Sequence, residues 1–307
     1  MRHLRSVPPP GRGPDAAKPL DEAELADLLE RTSRTFALTI PLLDEPLATD
    51  VGLAYLLYRI ADTLEDAPLW GRDTRMMALD SFGEWLVGAE AERRWLDTVA
   101  TSPPTDDAGC LALIARAEGL RTSVAQRGHD LSLAMTMDVV RTSSKMAEFV
   151  ARQTDAGGLV LNDVEDLKEY CYAVAGIVGE LLTEMFLKRD PSLEPERDAL
   201  MDLAPAFGEA LQLVNILKDA DADAREGRMY LPRNTPRADV VRMAREDLVS
   251  ANQYVEILRD AGASLHVRRF CELPVRRAEA TLDRLDDGAE KLSREEVMKI
   301  FAAVTNA

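Results

Sequence analysis

An all-α protein is what this sequence predicts, on three observations. Aromatic residues make up only 5% of the chain and β-branched runs are few, although strands are built from those residue types. Almost every segment after residue 19 reads as helix, with no convincing strand–turn–strand pattern and no repeat period. Capping and stop signals bracket the helical stretches one after another.

In order, residues 1–19 are rich in Pro, Gly and Arg and are expected to be a disordered tail. Asp21-x-x-Glu24 reads as a capping box opening the first helix. Pro46 suits the first turn of a long helix running to about Ala67, where Pro68 stops it. A further helix is expected from Gly71 to about Val99, before the Ser102–Asp107 loop. A long helical stretch should cover about Ala108 to Thr154 and end at Gly157-Gly158. Asp163 caps a helix through about Lys188, halted by Asp190-Pro191. Helices follow at about Leu200–Ala224, 236–262, 267–287 and 293–305, the last opened by Ser293-x-x-Glu296. No linker splits the apolar pattern, so 20–307 is expected to be a single domain of about ten helices.

Composition narrows the function classes. The chain has 307 residues, with 37 Lys and Arg against 54 Asp and Glu, a net charge of −17. A nucleic-acid binder needs a basic face, so the charge speaks against that class and no nucleic-acid partner is expected. The negative charge keeps the chain soluble and repels anionic headgroups at long range. An anionic substrate would therefore need local cations. Cys110, Cys171 and Cys271 are far apart and make no CxxC spacing, which fits a reducing cytoplasm rather than a disulfide framework or zinc site. His3, His129 and His266 form no ligand pattern. No signal-peptide core follows Arg2 and Arg5, and no run approaches the roughly 20 apolar residues of a membrane span. The expected location is the cytoplasm, or at most the periphery of a membrane.

Two acidic runs interrupt stretches otherwise suited to burial, Asp62-Thr63-Leu64-Glu65-Asp66 and Asn215 to Asp223. Like charges four residues apart on a helix cost about 0.2–0.5 kcal/mol per pair. In the first run Tyr55, Arg59, Asp62 and Asp66 share one stripe: an aromatic, a cation and two carboxylates. In the second, Asn215, Asp219 and Asp223 fall at i, i+4 and i+8, while Asp221 points elsewhere into solvent. Arg228 and Tyr230 follow in a loop that could fold a cation back over the site. Taken alone, each run is an ordinary solvated face. Two in one all-α chain point to magnesium, a hard ion that takes one or two carboxylates together with phosphate oxygens and water. Arginine clamps phosphate bidentately. Between the runs, the segment Tyr170–Gly179 reads as a helix packing closely through Ala175, Gly176 and Gly179, or as one lining an apolar tunnel with Tyr170 at its reactive end. The two are compatible.

On these residues the chain resembles the squalene/phytoene synthase family, which joins two isoprenyl diphosphates head to head. The blocks are Ser33-Arg34-Thr35-Phe36, Tyr55-x-x-x-Arg59-x-x-Asp62-x-x-Glu65-Asp66, Met146-Ala147-Glu148-Phe149, the Tyr170–Gly179 segment, and Gln212-x-x-Asn215-x-x-x-Asp219-x-x-x-Asp223 with Arg228 beyond it. The resemblance implies an isoprenoid-synthase-like helical bundle around a central cavity. It implies that Asp62, Glu65, Asp66, Asn215, Asp219 and Asp223 hold magnesium, and that Ser33, Arg34, Tyr55, Arg59, Gln212, Lys218 and Arg228 contact diphosphate. Tyr170 would assist proton loss or shield a carbocation.

Lys145–Phe149 and the block Arg269-Phe270-Cys271-Glu272-Leu273-Pro274 resemble the squalene branch, in which Phe270 would lie near the second half-reaction and NADPH would deliver hydride. Phe270 and Cys271 read equally as core residues. Arg276 and Arg277 depart from the apolar or amide residues usual there, and no glycine-rich dinucleotide fingerprint is present. The chain ends in Ile300–Val304, so a soluble or peripheral enzyme is expected rather than one with a C-terminal membrane anchor. The expected reaction is conversion of two farnesyl diphosphates to squalene through presqualene diphosphate, with no obligate protein partner. Alternatives are dehydrosqualene, or phytoene from geranylgeranyl diphosphate, without reductant; presqualene diphosphate alone; prenylation of a foreign acceptor; or a non-catalytic helical binding protein.

Overall fold

The computed structural model describes residues 16–33, 36–88, 93–153, 158–225, 227–288 and 291–306. Among them the protein is all-α, with no strand and a single isolated parallel bridge between Val160 and Met229. The chain forms two compact units, Met1–Ile40 with Ala48–Ala151, and Pro41–Leu47 with Arg152–Ala307.

In the first unit, α1 (Glu22–Thr32) starts where the Asp21 carboxylate accepts the Glu24 N–H at 2.9 Å, as the capping signal requires. It is followed by the short α2 (Phe36–Thr39). Helix α3 (Leu47–Asp66) buries Leu53, Leu56, Leu57, Ile60, Ala61 and Leu64, so it is apolar and buried on most of its circumference. Asp50 near its start is fully buried and pairs with Arg127 at 2.5 Å.

The helix expected over Gly71–Val99 is two helices, α4 (Arg72–Leu86) and α5 (Arg94–Thr101). Gly88 takes φ +103°, a left-handed conformation that ends α4. Phe82, Trp85 and Trp95 then close an edge-to-face aromatic cluster between α4 and α5. The stretch expected over 108–154 is three helices: α6 (Ala108–Ala115), α7 (Ala117–Ala125) and α8 (His129–Ala151). Gly128, at φ +89°, separates the last two. Of the expected disordered tail, residues 1–15 lie outside the described residues; the carbonyls of Ala16 and Lys18 each accept a hydrogen bond from Arg116 at 2.8 Å.

In the second unit, Asp163 caps α9 (Val164–Cys171), accepting the Asp166 N–H at 3.0 Å. The helix passes through a π-turn (Tyr172–Gly176) into α10 (Ile177–Arg189). Helix α11 (Arg197–Arg225) runs against α10, the π-turn and α12 (Arg237–Asp260), with α13 (Leu265–Asp286) and α14 (Arg294–Asn306) beyond. Ser293 and Glu296 exchange side-chain-to-backbone hydrogen bonds at the start of α14, a full capping box.

The close packing expected of the Gly176–Gly179 segment is present. A methyl group at Gly179 would sit 2.1 Å from the Ala204 carbonyl oxygen, and one at Gly208 would sit 2.0 Å from that of Ala175. Glycine is needed wherever two helix backbones approach this closely. The continuous stretches Val164–Arg189 and Pro191–Arg225 are long and apolar enough to cross a membrane by length and composition alone, but 61% and 44% of their apolar windows are buried within the protein.

Candidate active site

Each unit carries one of the two acidic stripes. On α3 of the first unit, Tyr55, Arg59, Asp62 and Asp66 follow at one-turn intervals. Tyr55 is fixed at its tip, where its hydroxyl donates to the Thr32 carbonyl at 3.1 Å and lies within hydrogen-bonding reach of Ser33. Its ring packs on Phe36 with centroids 5.0 Å apart. The Ser33 hydroxyl oxygen accepts the Phe36 N–H at 2.8 Å. Ser33, Tyr55, Arg59 and Asp62 thus lie next to one another in this unit. Arg34 lies outside the described residues.

Arg59 and Asp62 approach to 4.0 Å, with the Asp62 side chain still 42% exposed. Its partial burial raises the Asp62 carboxyl above the usual carboxylate range; Arg59 pulls it down and Asp66 pushes it further up. Asp66 is exposed, whereas Glu65 is 9% exposed on another stripe of the helix. Arg59 keeps its charge: burial works against it, and Cys110, Asp62 and Tyr55 outweigh that penalty.

The second stripe belongs to α11. Lys218 donates to the Asn215 side-chain oxygen at 3.0 Å and approaches Asp219 at 3.2 Å. Arg228 folds back as its sequence position suggested. Its N–H donates to the Asp223 carbonyl at 2.9 Å, and its guanidinium lies 3.3 Å from the Asp223 carboxylate. Two backbone hydrogen bonds hold this loop: Met229 N–H to the Leu159 carbonyl at 2.8 Å, and Leu161 N–H to the Met229 carbonyl at 3.3 Å. The loop lays Tyr230 on Tyr170, rings stacked with centroids 4.9 Å apart. Tyr170 itself is 5% exposed, and Asp221 is exposed as expected. Gln212 is half-buried one turn before Asn215.

Two contributors escaped the sequence reading. Lys291 reaches Asp219 at 3.3 Å, from a segment carrying no motif. Cys110 touches Arg59, its sulfur 3.5 Å from Nη2.

Among the described residues no three His, Cys, Asp or Glu side chains converge into a preformed metal cage. The donor set nonetheless fits magnesium, which takes one or two carboxylates and completes its shell with substrate phosphate and water. Ammonium and guanidinium groups now sit against Asp219 and Asp223, where a cation is electrostatically favoured. Neither arginine that follows Phe270 is set out as a phosphate clamp. Arg276 is engaged by Glu272, Glu279 and Asn252, at 3.2, 3.0 and 3.1 Å, and burial lowers the Arg277 side chain's affinity for its proton. Phe270 is 5% exposed and packs edge-on against Phe186, as a core residue does.

A family model described as squalene/phytoene synthase matches residues 29–238. The squalene synthase of Nicotiana benthamiana is 26% identical over 288 residues, which is 86% of this chain and 64% of that protein. Phytoene synthase 1, chloroplastic, of Arabidopsis thaliana is 31% identical over 140 residues, 46% of this chain and 30% of that one. The alignments thus span less than two thirds of these relatives' lengths. Among solved structures, TcSQS with the ligand E5700 superposes with a TM-score of 0.72 at 23% identity, covering 92% of this chain and 85% of that one. The squalene synthase HpnC from Alicyclobacillus acidocaldarius gives 0.57 at 22% identity, covering 88% and 94%.

Proposed function

The chain belongs to the squalene/phytoene synthase family, and on that premise we propose that it condenses two farnesyl diphosphates head to head, through presqualene diphosphate, to squalene. One observation carries this reading. Each unit bears a helical stripe of carboxylates or carboxamide with a basic side chain beside it: Asp62 and Asp66 with Arg59, and Asn215, Asp219 and Asp223 with Lys218 and Arg228. A reaction consuming two diphosphates needs oxygen ligands for magnesium and cations for phosphate twice over. The expectation that residues 20–307 act as one catalytic domain, in the cytoplasm or peripheral to a membrane, is part of the proposal.

Asp62 and Asp66, with Glu65 as a further oxygen on the same run, and Asn215, Asp219 and Asp223 would hold magnesium. Bound there, the ion would neutralise the departing diphosphate and make it a good leaving group. Ser33, Arg34, Tyr55 and Arg59 on one unit, and Gln212, Lys218 and Arg228 on the other, would bind and orient phosphate oxygens. Ionisation of one substrate breaks its C1–O bond and leaves an allylic cation. The double bond of the second substrate attacks C1, and loss of a C1 proton closes a cyclopropane. Tyr170, buried and stacked on Tyr230, would face the cation with its ring electrons and help the proton leave. Excluding water there would protect the cation from capture. Finishing as squalene needs hydride, and no residue is assigned to NADPH.

A second reading, dehydrosqualene or phytoene formation without reductant, has one observation in its favour: phytoene synthases are similar to this chain as well as squalene synthases. Purified protein with farnesyl diphosphate and magnesium, with and without NADPH, separates the readings by product mass. Squalene only with NADPH is the expected result. Presqualene diphosphate in both tubes would assign the second step elsewhere, and dehydrosqualene without reductant would favour the second reading. Coupling only from geranylgeranyl diphosphate would correct the chain length. Prenylation of an added aromatic acceptor, with no coupling product, would overturn the proposal, and no turnover with any of these substrates would favour a binding protein.

A further inference from the structure

Arg59 has four rotatable side-chain bonds and a charge that must point at its ligand, so something has to hold it. Asp62 does so weakly, at 4.0 Å. Within the first unit the nearer contact is the Cys110 sulfur, 3.5 Å from Nη2, while Nε is buried with no hydrogen-bond partner. We propose that Cys110 is a positioning residue for Arg59: its sulfur accepts a hydrogen bond from the guanidinium and aims the group at a diphosphate without neutralising it. The inference rests on the diphosphate-binding role proposed above for Arg59.

The sulfur sits on a rigid support. Cys110 is 4% exposed in the first turn of α6, where its N–H donates to the Asp107 carboxylate at 2.8 Å. That turn is seated on α1: a methyl at Gly109 would come 2.5 Å from the Arg31 carbonyl oxygen, and the Arg31 guanidinium donates to the Ala108 carbonyl at 3.2 Å. A side chain on so fixed a turn is pre-organised. The chemistry of sulfur matters too. A carboxylate here would compensate the guanidinium charge and compete with phosphate. A thiol is a weak acceptor that orients the group and leaves its charge available.

The test is a double-mutant cycle read by calorimetric binding of inorganic pyrophosphate in the presence of magnesium. Cys110→Val removes the acceptor while adding about one methyl group of bulk. It should weaken pyrophosphate about two- to ten-fold, the range for one modest hydrogen bond. In an Arg59→Ala background the same substitution should change nothing further, because the partner is gone. A merely structural role would act equally in both backgrounds. Should valine lower the melting temperature, Cys110→Ala, which cannot overpack, completes the cycle. Weak binding by Arg59→Ala with normal binding by the Cys110 variants overturns the positioning role alone, as does an equal loss in both backgrounds. Normal binding by Arg59→Ala overturns the positioning role together with the diphosphate role of Arg59.

Discussion

Replacing Gly208 with alanine would place a methyl group 2.0 Å from the Ala175 carbonyl oxygen and 2.6 Å from its carbon. Ordinary contact begins at 3.4 Å, so α11 must retreat from the π-turn by about an ångström or more. The obstacle is backbone on both sides, with no side chain that could swing away. Overpacking costs about 1–3 kcal/mol, and a backbone clash belongs at the upper end. At about 2–4 °C per kcal/mol for a body of this size, the melting temperature should fall by roughly 6–12 °C. The consequence for function is separate. Gln212 lies one turn beyond Gly208 on α11, and Asn215 and Asp219 follow. A displacement of about 1 Å at catalytic groups can cost about 10²-fold in rate. Thermal melts and turnover of farnesyl diphosphate, measured well below both melting temperatures, read the two effects. Gly83→Ala is the control: its methyl would meet Val140 at 3.8 Å, ordinary contact, so helix propensity should leave that variant unchanged or slightly more stable. A Gly208→Ala protein melting within about 2 °C of the parent and turning over normally would refute the packing argument.

Asp62→Asn and Asp219→Asn should each lower turnover by at least about 10²-fold, typical of one lost charge-stabilising contact; chelating magnesium should abolish turnover, and adding the ion back should restore it. Arg127→Ala removes an ion-pair partner of the buried Asp50 carboxylate and should cost about 3 kcal/mol in a denaturant melt; a loss under about 1 kcal/mol would mean that this pair does not hold Asp50 in place. Glu209 and Asp247 supply a pH dependence. Burial raises both carboxyls, Glu209 to about 7 and Asp247 to about 6; Asp247 and Glu180 reinforce the first, Glu246 the second, and Lys168 opposes both. The folded state holds their protons more tightly than the unfolded state, so their stabilising contribution is complete below the unfolded values of 4.5 and 3.8 and is lost as pH rises through about 6 to 7. Glu209→Gln should flatten that fall in melting temperature between pH 4.5 and 7; an unchanged slope would remove Glu209 from the account.

Much of the fold could be read from local signals. Asp21, Asp163 and Ser293 cap helices where the pattern placed them, because a cap depends on three or four neighbouring residues. The two overlong helices were misjudged for a matching reason. An isolated glycine such as Gly88 or Gly128 fits a helical pattern at small cost, and only its φ value reveals a break. The π-turn leaves the apolar spacing almost untouched and was likewise invisible. Within the site, spacing of four aligned Asp62 with Asp66 and Asn215 with Asp219, since helix geometry fixes those relations. Arg228 was within reach of reasoning because five residues separate it from Asp223. Cys110 lies 51 residues from Arg59, and Lys291 lies far beyond α11 in the chain. Contacts of that range are set by packing and leave no mark in a local pattern.

The head-to-head claim itself is tested most directly with farnesyl diphosphate carrying two deuteriums at C1, turned over with magnesium and NADPH. Closing the cyclopropane expels one C1 hydrogen from one of the two substrates. A coupled product lacking one of the four C1 deuteriums is the predicted result. A product that keeps all of them would show chain extension or transfer to another acceptor, and would contradict the account.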